Sequence, residues 1–100
     1  MRVSLTPHAR DRLRKIYEYY KDKKIEKVGR KIRTKVLQKT MKLKEFPCMG
    51  SVEPNLEDSE FEYRYLVEGN YKVIYRVVPD LELVIVNDIF DTRQNPDKMG

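Results

Sequence analysis

The sequence predicts an α+β domain of order β-α-α-β-β-β, a helical hairpin packed on one face of a small antiparallel sheet. Three observations predict it: apolar residues at helical spacing through the first half, a change to period-two alternation after residue 60, and a connection rich in proline and glycine between the two regimes. A chain of 100 residues has room for one core, so every amphipathic segment must share it and residues 1–100 form a single domain.

The opening Arg2-Val-Ser-Leu5 alternates polar and apolar residues and reads as a short strand. Thr6 followed by Pro7 then starts a helix: the hydroxyl caps free backbone N–H groups, and proline at the first helical position lacks only an N–H that would have no partner there. Ala9, Leu13, Ile16, Tyr17 and Tyr20 make one apolar stripe running to about residue 23. After a polar break, Ile25, Val28, Ile32, Val36, Thr40 and Leu43 mark a second helix, which ends where Phe46 meets Pro47. Gly29 inside it costs about 1 kcal/mol relative to alanine, so it marks either a close helix crossing or a frayed start.

The stretch from Pro47 to Glu60 is a loop. Beyond it, "FEYRYLVE" and "YKVIYRVV" are strands joined by Gly69-Asn70, a pair suited to the positive φ of a tight hairpin. Pro79-Asp80 turns the chain into "LELVIVNDIF", whose two alternating sets are both apolar, so this strand is expected to be central and covered on both faces.

The composition narrows the function classes. No apolar run reaches the length of a membrane span and the N-terminus lacks the apolar centre of a signal peptide, so the cytoplasm is the expected compartment and no membrane partner is expected. Cys48 is the only cysteine, without an obvious base beside it, which excludes an internal disulfide and argues against a catalytic thiol. Asp88 and Asp91 have no histidine or third carboxylate at ligand spacing, so they read as solvated residues near a strand end, and neither metal nor cofactor is expected. His8 reads as a surface residue in the first helical turn, and Tyr17, Tyr19 and Tyr20 as core and rim packing. The net charge of +5 conceals an asymmetry: residues 1–47 hold 16 Lys and Arg against 5 Asp and Glu, net +11, and residues 48–100 hold 5 against 11, net −6. A basic half of this kind suits a nucleic acid or an acidic protein segment.

On the middle strand of the meander, Lys72, Ile74, Arg76 and Val78 share the face expected to point away from the helices. Whether Arg64 joins them depends on the hairpin. With a two-residue turn it lies opposite Tyr75 and shares that face, whereas a three-residue connection moves it beside Lys72 and Arg76. Arg93, just past the last strand and before Asn95-Pro96, is positioned to approach the same surface. Clustered cations there suit a phosphate or the charge of a phosphoryl transition state. Arginine stays charged, so proton transfers would fall to Lys72 or a neighbouring tyrosine.

The pattern Arg64-x-Leu66-x-x-Gly69-x-Tyr71-x-x-x-Tyr75, followed by Asp91-Thr-Arg-Gln-Asn-Pro96, resembles the RelE/ParE superfamily of bacterial toxins from type II toxin-antitoxin modules, also called plasmid stabilisation systems. The likeness spans nearly the whole chain. It implies a growth inhibitor neutralised by a cognate antitoxin, whose amphipathic, often acidic segment folds on the toxin. RelE-like members cut mRNA in the ribosomal A site, and ParE-like members poison DNA gyrase without nuclease chemistry. Carried over from the ribonucleases, Lys72 and Arg93 match cationic positions and Arg64 falls near a third, which makes these three the candidate catalytic set. Arg76 and Tyr65 are candidate target or phosphate contacts. Leu66 stands where a second lysine is expected, and after Arg93 no tyrosine or histidine follows to assist. The resemblance therefore points to the ParE-like or a non-nuclease branch; the alternatives are a ribosome-dependent mRNA endonuclease and a non-toxic binding module.

Overall fold

The structure, a computed structural model, describes residues 1–56 and 60–93. Strand β1 (Arg2–Leu5) leads into helix α1 (Pro7–Asp22), which packs against α2 (Glu26–Met41). A single 3₁₀ turn, Lys42–Lys44, ends the hairpin, and strands β2 (Ser51–Val52), β3 (Arg64–Glu68), β4 (Tyr71–Val78) and β5 (Leu83–Asp91) follow. The five strands form one sheet in the order β1-β5-β4-β3-β2.

Most elements form for the reasons read from the sequence. The Thr6 side chain accepts a hydrogen bond from the Ala9 N–H at 3.1 Å, with Pro7 in the first turn. Gly29 marks a close crossing: a Cβ there would stand 2.9 Å from Tyr20 Cβ and 3.2 Å from the Tyr17 carbonyl oxygen. Gly69 takes φ +58° in the hairpin turn, as Gly69-Asn70 predicts. One side of the sheet carries Leu66, Val73, Tyr75, Val84, Val86 and Ile89 into a core closed by Ala9, Leu13 and Val36 of the helices.

Three features depart from the expectation. The sheet is mixed, because β1 pairs with β5 in parallel, Arg2 beside Leu83 through Leu5 beside Val86. This is why β5 is an interior strand, between β1 and β4. A short β2 adds an edge strand inside what reads as loop. Finally, β5 starts at Leu83, since Pro79–Leu81 form a 3₁₀ turn closed by Glu82 at φ +48°.

The hairpin has the two-residue register: Arg64 faces Tyr75, Tyr65 faces Ile74 and Val67 faces Lys72. The irregularity lies between β4 and β5, where Ile74 pairs with Asp88 but Tyr75 pairs with Val86, leaving Asn87 as the extra residue of a bulge. Asp88, the residue after the bulge, contacts α1. Asp88 is 2% exposed and pairs with His8 Nε2 at 3.2 Å and Arg12 Nε at 3.4 Å. It is thus a buried link between sheet and helix, not the solvated residue near a strand end that the lack of ligand-spaced partners suggests.

Candidate functional site

The sequence-derived cations separate into three places. Lys72 lies on the face away from the helices, but that face is not bare: Ile74 beside it is 1% exposed. Glu53, just past β2, turns its carboxylate inward and meets Lys72 Nζ at 2.6 Å, with Glu53 side-chain exposure of 0% and Lys72 of 16%. The other Glu53 oxygen accepts the Asn55 N–H at 3.2 Å, and Lys72 also lies 4.1 Å from the centre of the Tyr65 ring. Tyr65 and Lys72 are therefore neighbours, as two residues of one sheet face should be, and an acid already occupies the lysine.

Arg64 lies elsewhere. Its register puts it on the Tyr75 side of β3, near the end of the strand, where Nη1 donates to the Gly50 carbonyl at 2.8 Å and Nη2 meets Glu62 at 3.0 Å. Tyr75 completes the arrangement, because its hydroxyl accepts the Gly50 N–H at 2.9 Å. No side chain fits at Gly50: a Cβ there would stand 2.5 Å from the Tyr65 carbonyl oxygen and 2.7 Å from the Tyr75 hydroxyl. Arg64 thus anchors the loop before β2, which corrects its expected grouping with Lys72 and Arg93. Its guanidinium instead shares a cleft of about 320 Å³ with Arg76, Cys48 and Phe61. Arg76 stacks on the Phe61 ring at 4.2 Å.

Arg93 occupies the opposite end of the sheet. Thr92 N–H donates to the Asn70 carbonyl at 2.7 Å, which holds the chain beyond β5 against the β3–β4 turn. Arg93 Nε donates to Asp91 Oδ1 at 2.9 Å and Nη2 to Oδ2 at 2.5 Å, a two-point clamp. The clamp holds the Asp91 carboxyl below its ordinary range, the arginine hydrogen bond being the largest cause, and raises the guanidinium in turn. Tyr75, beside Arg64, lies four residues along β4 from Tyr71, the partner of Asp91, so about 13 Å of strand separates the two arginine sites. Lys72 and Arg93 do not converge either, because Asp91 pairs with Tyr71, on the helix side, whereas Lys72 pairs with Phe90 on the other.

Around Arg93 is a cleft of about 340 Å³ between α1 and the end of β5, lined by Arg12, Lys15 and Tyr19 from the helix and by Tyr71, Phe90 and Asp91 from the sheet. Burial is the largest cause raising the Tyr71 phenol above its usual range, helped by a hydrogen bond with Tyr20. It therefore remains a neutral donor and acceptor at physiological pH. Cations beside aromatic rings suit an acidic or phosphate-bearing group from a partner. Sequence reading missed this cleft, although Arg12, Lys15 and Tyr19 stand at i, i+3 and i+7, one edge of the α1 stripe. Glu53 was missed for want of any signal in the sequence. The Asn95-Pro96 ending lies outside the described residues.

Comparison with known proteins decides the family. A model of the family described as "ParE toxin of type II toxin-antitoxin system, parDE" matches residues 3–96. The chain belongs to the ParE toxin family. It is the toxin component of a type II toxin-antitoxin module, and membership implies an antitoxin partner. Among solved structures, a chain of the chromosomal ParDE toxin-antitoxin system from P. aeruginosa superposes with a TM-score of 0.74 at 17% identity, covering 91% of this chain and 95% of that one. The two share the fold. No curated protein matches. Among the described residues of this ParE-family toxin, no helix is long and apolar enough to cross a membrane.

Proposed function

We propose that this toxin arrests growth in the cytoplasm by acting on DNA gyrase, without cutting RNA, until an antitoxin segment folds over it. One observation carries the reading: the cations that an RNA-cleaving site would gather stand apart, each with its own carboxylate, Lys72 with Glu53, Arg64 with Glu62 and Arg93 with Asp91. Cleavage through a 2′-hydroxyl needs a base and an acid on opposite sides of one phosphate. Lys72 is held by a buried acid, and the two arginines cannot exchange protons near neutrality. Arg93 and the Tyr71 cleft are instead arranged for contact, and a contact is all that poisoning a large enzyme requires.

Induction of the toxin alone, with a DNA-damage reporter and a transcript-end assay in the same culture, tests the proposal. Growth arrest with DNA breaks and intact mRNA is expected, and a gyrase subunit should be captured with the toxin. Codon-phased mRNA cleavage in translating extracts, lost on Lys72→Ala or Arg93→Ala, would replace it with the ribosome-dependent endonuclease. A well-folded product without growth arrest would leave only a binding module.

A further inference from the structure

We infer that the solvent face of α2 is a docking surface for the phosphate backbone of double-stranded DNA. Lys27, Lys31 and Lys35 repeat at four-residue spacing and Lys42 extends the row into the 3₁₀ turn; all four are exposed. The one acid of α2, Glu26, is taken by Arg30 at 2.9 Å and by the Tyr17 hydroxyl. Among the described residues no carboxylate pairs with the four lysines, although Arg14, Lys15, Arg64, Lys72 and Arg93 each have one. The row thus presents uncompensated charge over about 22 Å of helix axis, a length over which duplex DNA carries about a dozen phosphates.

Chemistry selects the occupant. A disordered acidic antitoxin segment must bury apolar surface to fold on a partner, and from Lys27 to Lys42 this face exposes Thr34 and Gln38 between its lysines and a single large apolar side chain, Val28, 44% exposed. Single-stranded nucleic acid is held on aromatic platforms, and none lies along the row. A row of lysines with one valine beside it and no aromatic anchor fits a regular rail of phosphates. The inference goes beyond the gyrase reading and stands without it, since binding is measured on DNA alone.

The test is a fluorescence-anisotropy titration of a labelled 24-base-pair duplex of mixed sequence with purified toxin, from 50 to 200 mM salt. Four released counterions predict a log–log salt slope near −3.6, so binding weakens about 150-fold across that range. Lys27→Gln/Lys31→Gln/Lys35→Gln should bring the slope close to −1, with far-UV circular dichroism unchanged. A charge-matched control, Arg2→Gln/Arg10→Gln/Lys44→Gln, alters exposed residues off the row and should keep most of the slope. No duplex binding at 50 mM salt overturns the inference, and so does a control that loses as much as the triple variant. Loss of antitoxin binding by the triple variant, with DNA binding intact, assigns the row to an acidic protein and overturns it too.

Discussion

Lys72 and Arg93 are both cations that follow a tyrosine-bearing or acidic strand end, yet the molecule treats them in opposite ways. Lys72 is tied to Glu53, a buried carboxylate 19 residues earlier in the chain, so their pairing exists only when the sheet and the connection beyond β2 are both in place. Arg93 is tied to Asp91, two residues away, and its side chain is 60% exposed. A pair built across the fold contributes to structure and resists exchange; a local exposed clamp can open toward a partner at little cost. The comparison teaches that a cation at a family's functional position is informative only once its counter-ion is known.

The largest effect should come from breaking the buried pair on one side. Lys72→Met leaves the Glu53 carboxylate buried without its cation and should cost about 3 kcal/mol or more, lowering the melting temperature by about 12 °C or more. Adding Glu53→Met should recover most of that loss, since an apolar pair needs no counter-charge; thermal melts of the two variants check both outcomes.

The Arg64 anchor should come next. Gly50→Ala pushes a methyl group against the Tyr65 carbonyl and Tyr75, at about 2 kcal/mol, and Tyr75→Phe removes the acceptor of a buried N–H, at about 1 to 2 kcal/mol. Urea titrations would measure each.

A smaller effect should appear at alkaline pH. Burial raises the Tyr71 and Tyr75 phenols, so the folded chain keeps protons that the unfolded chain releases near its ordinary value of about 10. Stability is then complete below that value and falls as pH rises through it toward the folded values. Denaturation midpoints between pH 9 and 11 should decline, and Tyr71→Phe should flatten the decline. At the acid end the sign reverses for Asp91: its lowered carboxyl contributes stability above its unfolded value and loses it as pH falls toward the folded one. The smallest change in stability is expected from Arg93→Ala, which should barely move the melting temperature because the clamp it removes is open to solvent.

Local patterns told most about the fold. The Thr6-Pro7 start, the two apolar helix stripes and the Gly69-Asn70 turn each act through neighbours in sequence, so periodicity and backbone preference suffice to find them. The parallel seat of β1 beside β5 depends on a partner some 80 residues away, which no local pattern encodes. Only two residues of β2 form strand, too few to show alternation. Asp88 was misread because its partners, His8 and Arg12, stand in α1 at the other end of the chain, where no ligand spacing counted along the sequence finds them. The candidate site was legible as a set of residue types but not as an arrangement. Arg64, Lys72 and Arg93 all have specific polar partners, yet Glu53, the one that decides what Lys72 does, sits in a proline-flanked connection where nothing in the sequence turns an acid inward.

Growth arrest by two folded variants tests the central contrast most directly: Lys72→Met/Glu53→Met against Arg93→Ala, each expressed without antitoxin at matched levels. If Lys72 is structural and Arg93 is the contact, the double variant still arrests growth and Arg93→Ala does not. Full toxicity of Arg93→Ala alongside a folded, inert double variant would contradict the account.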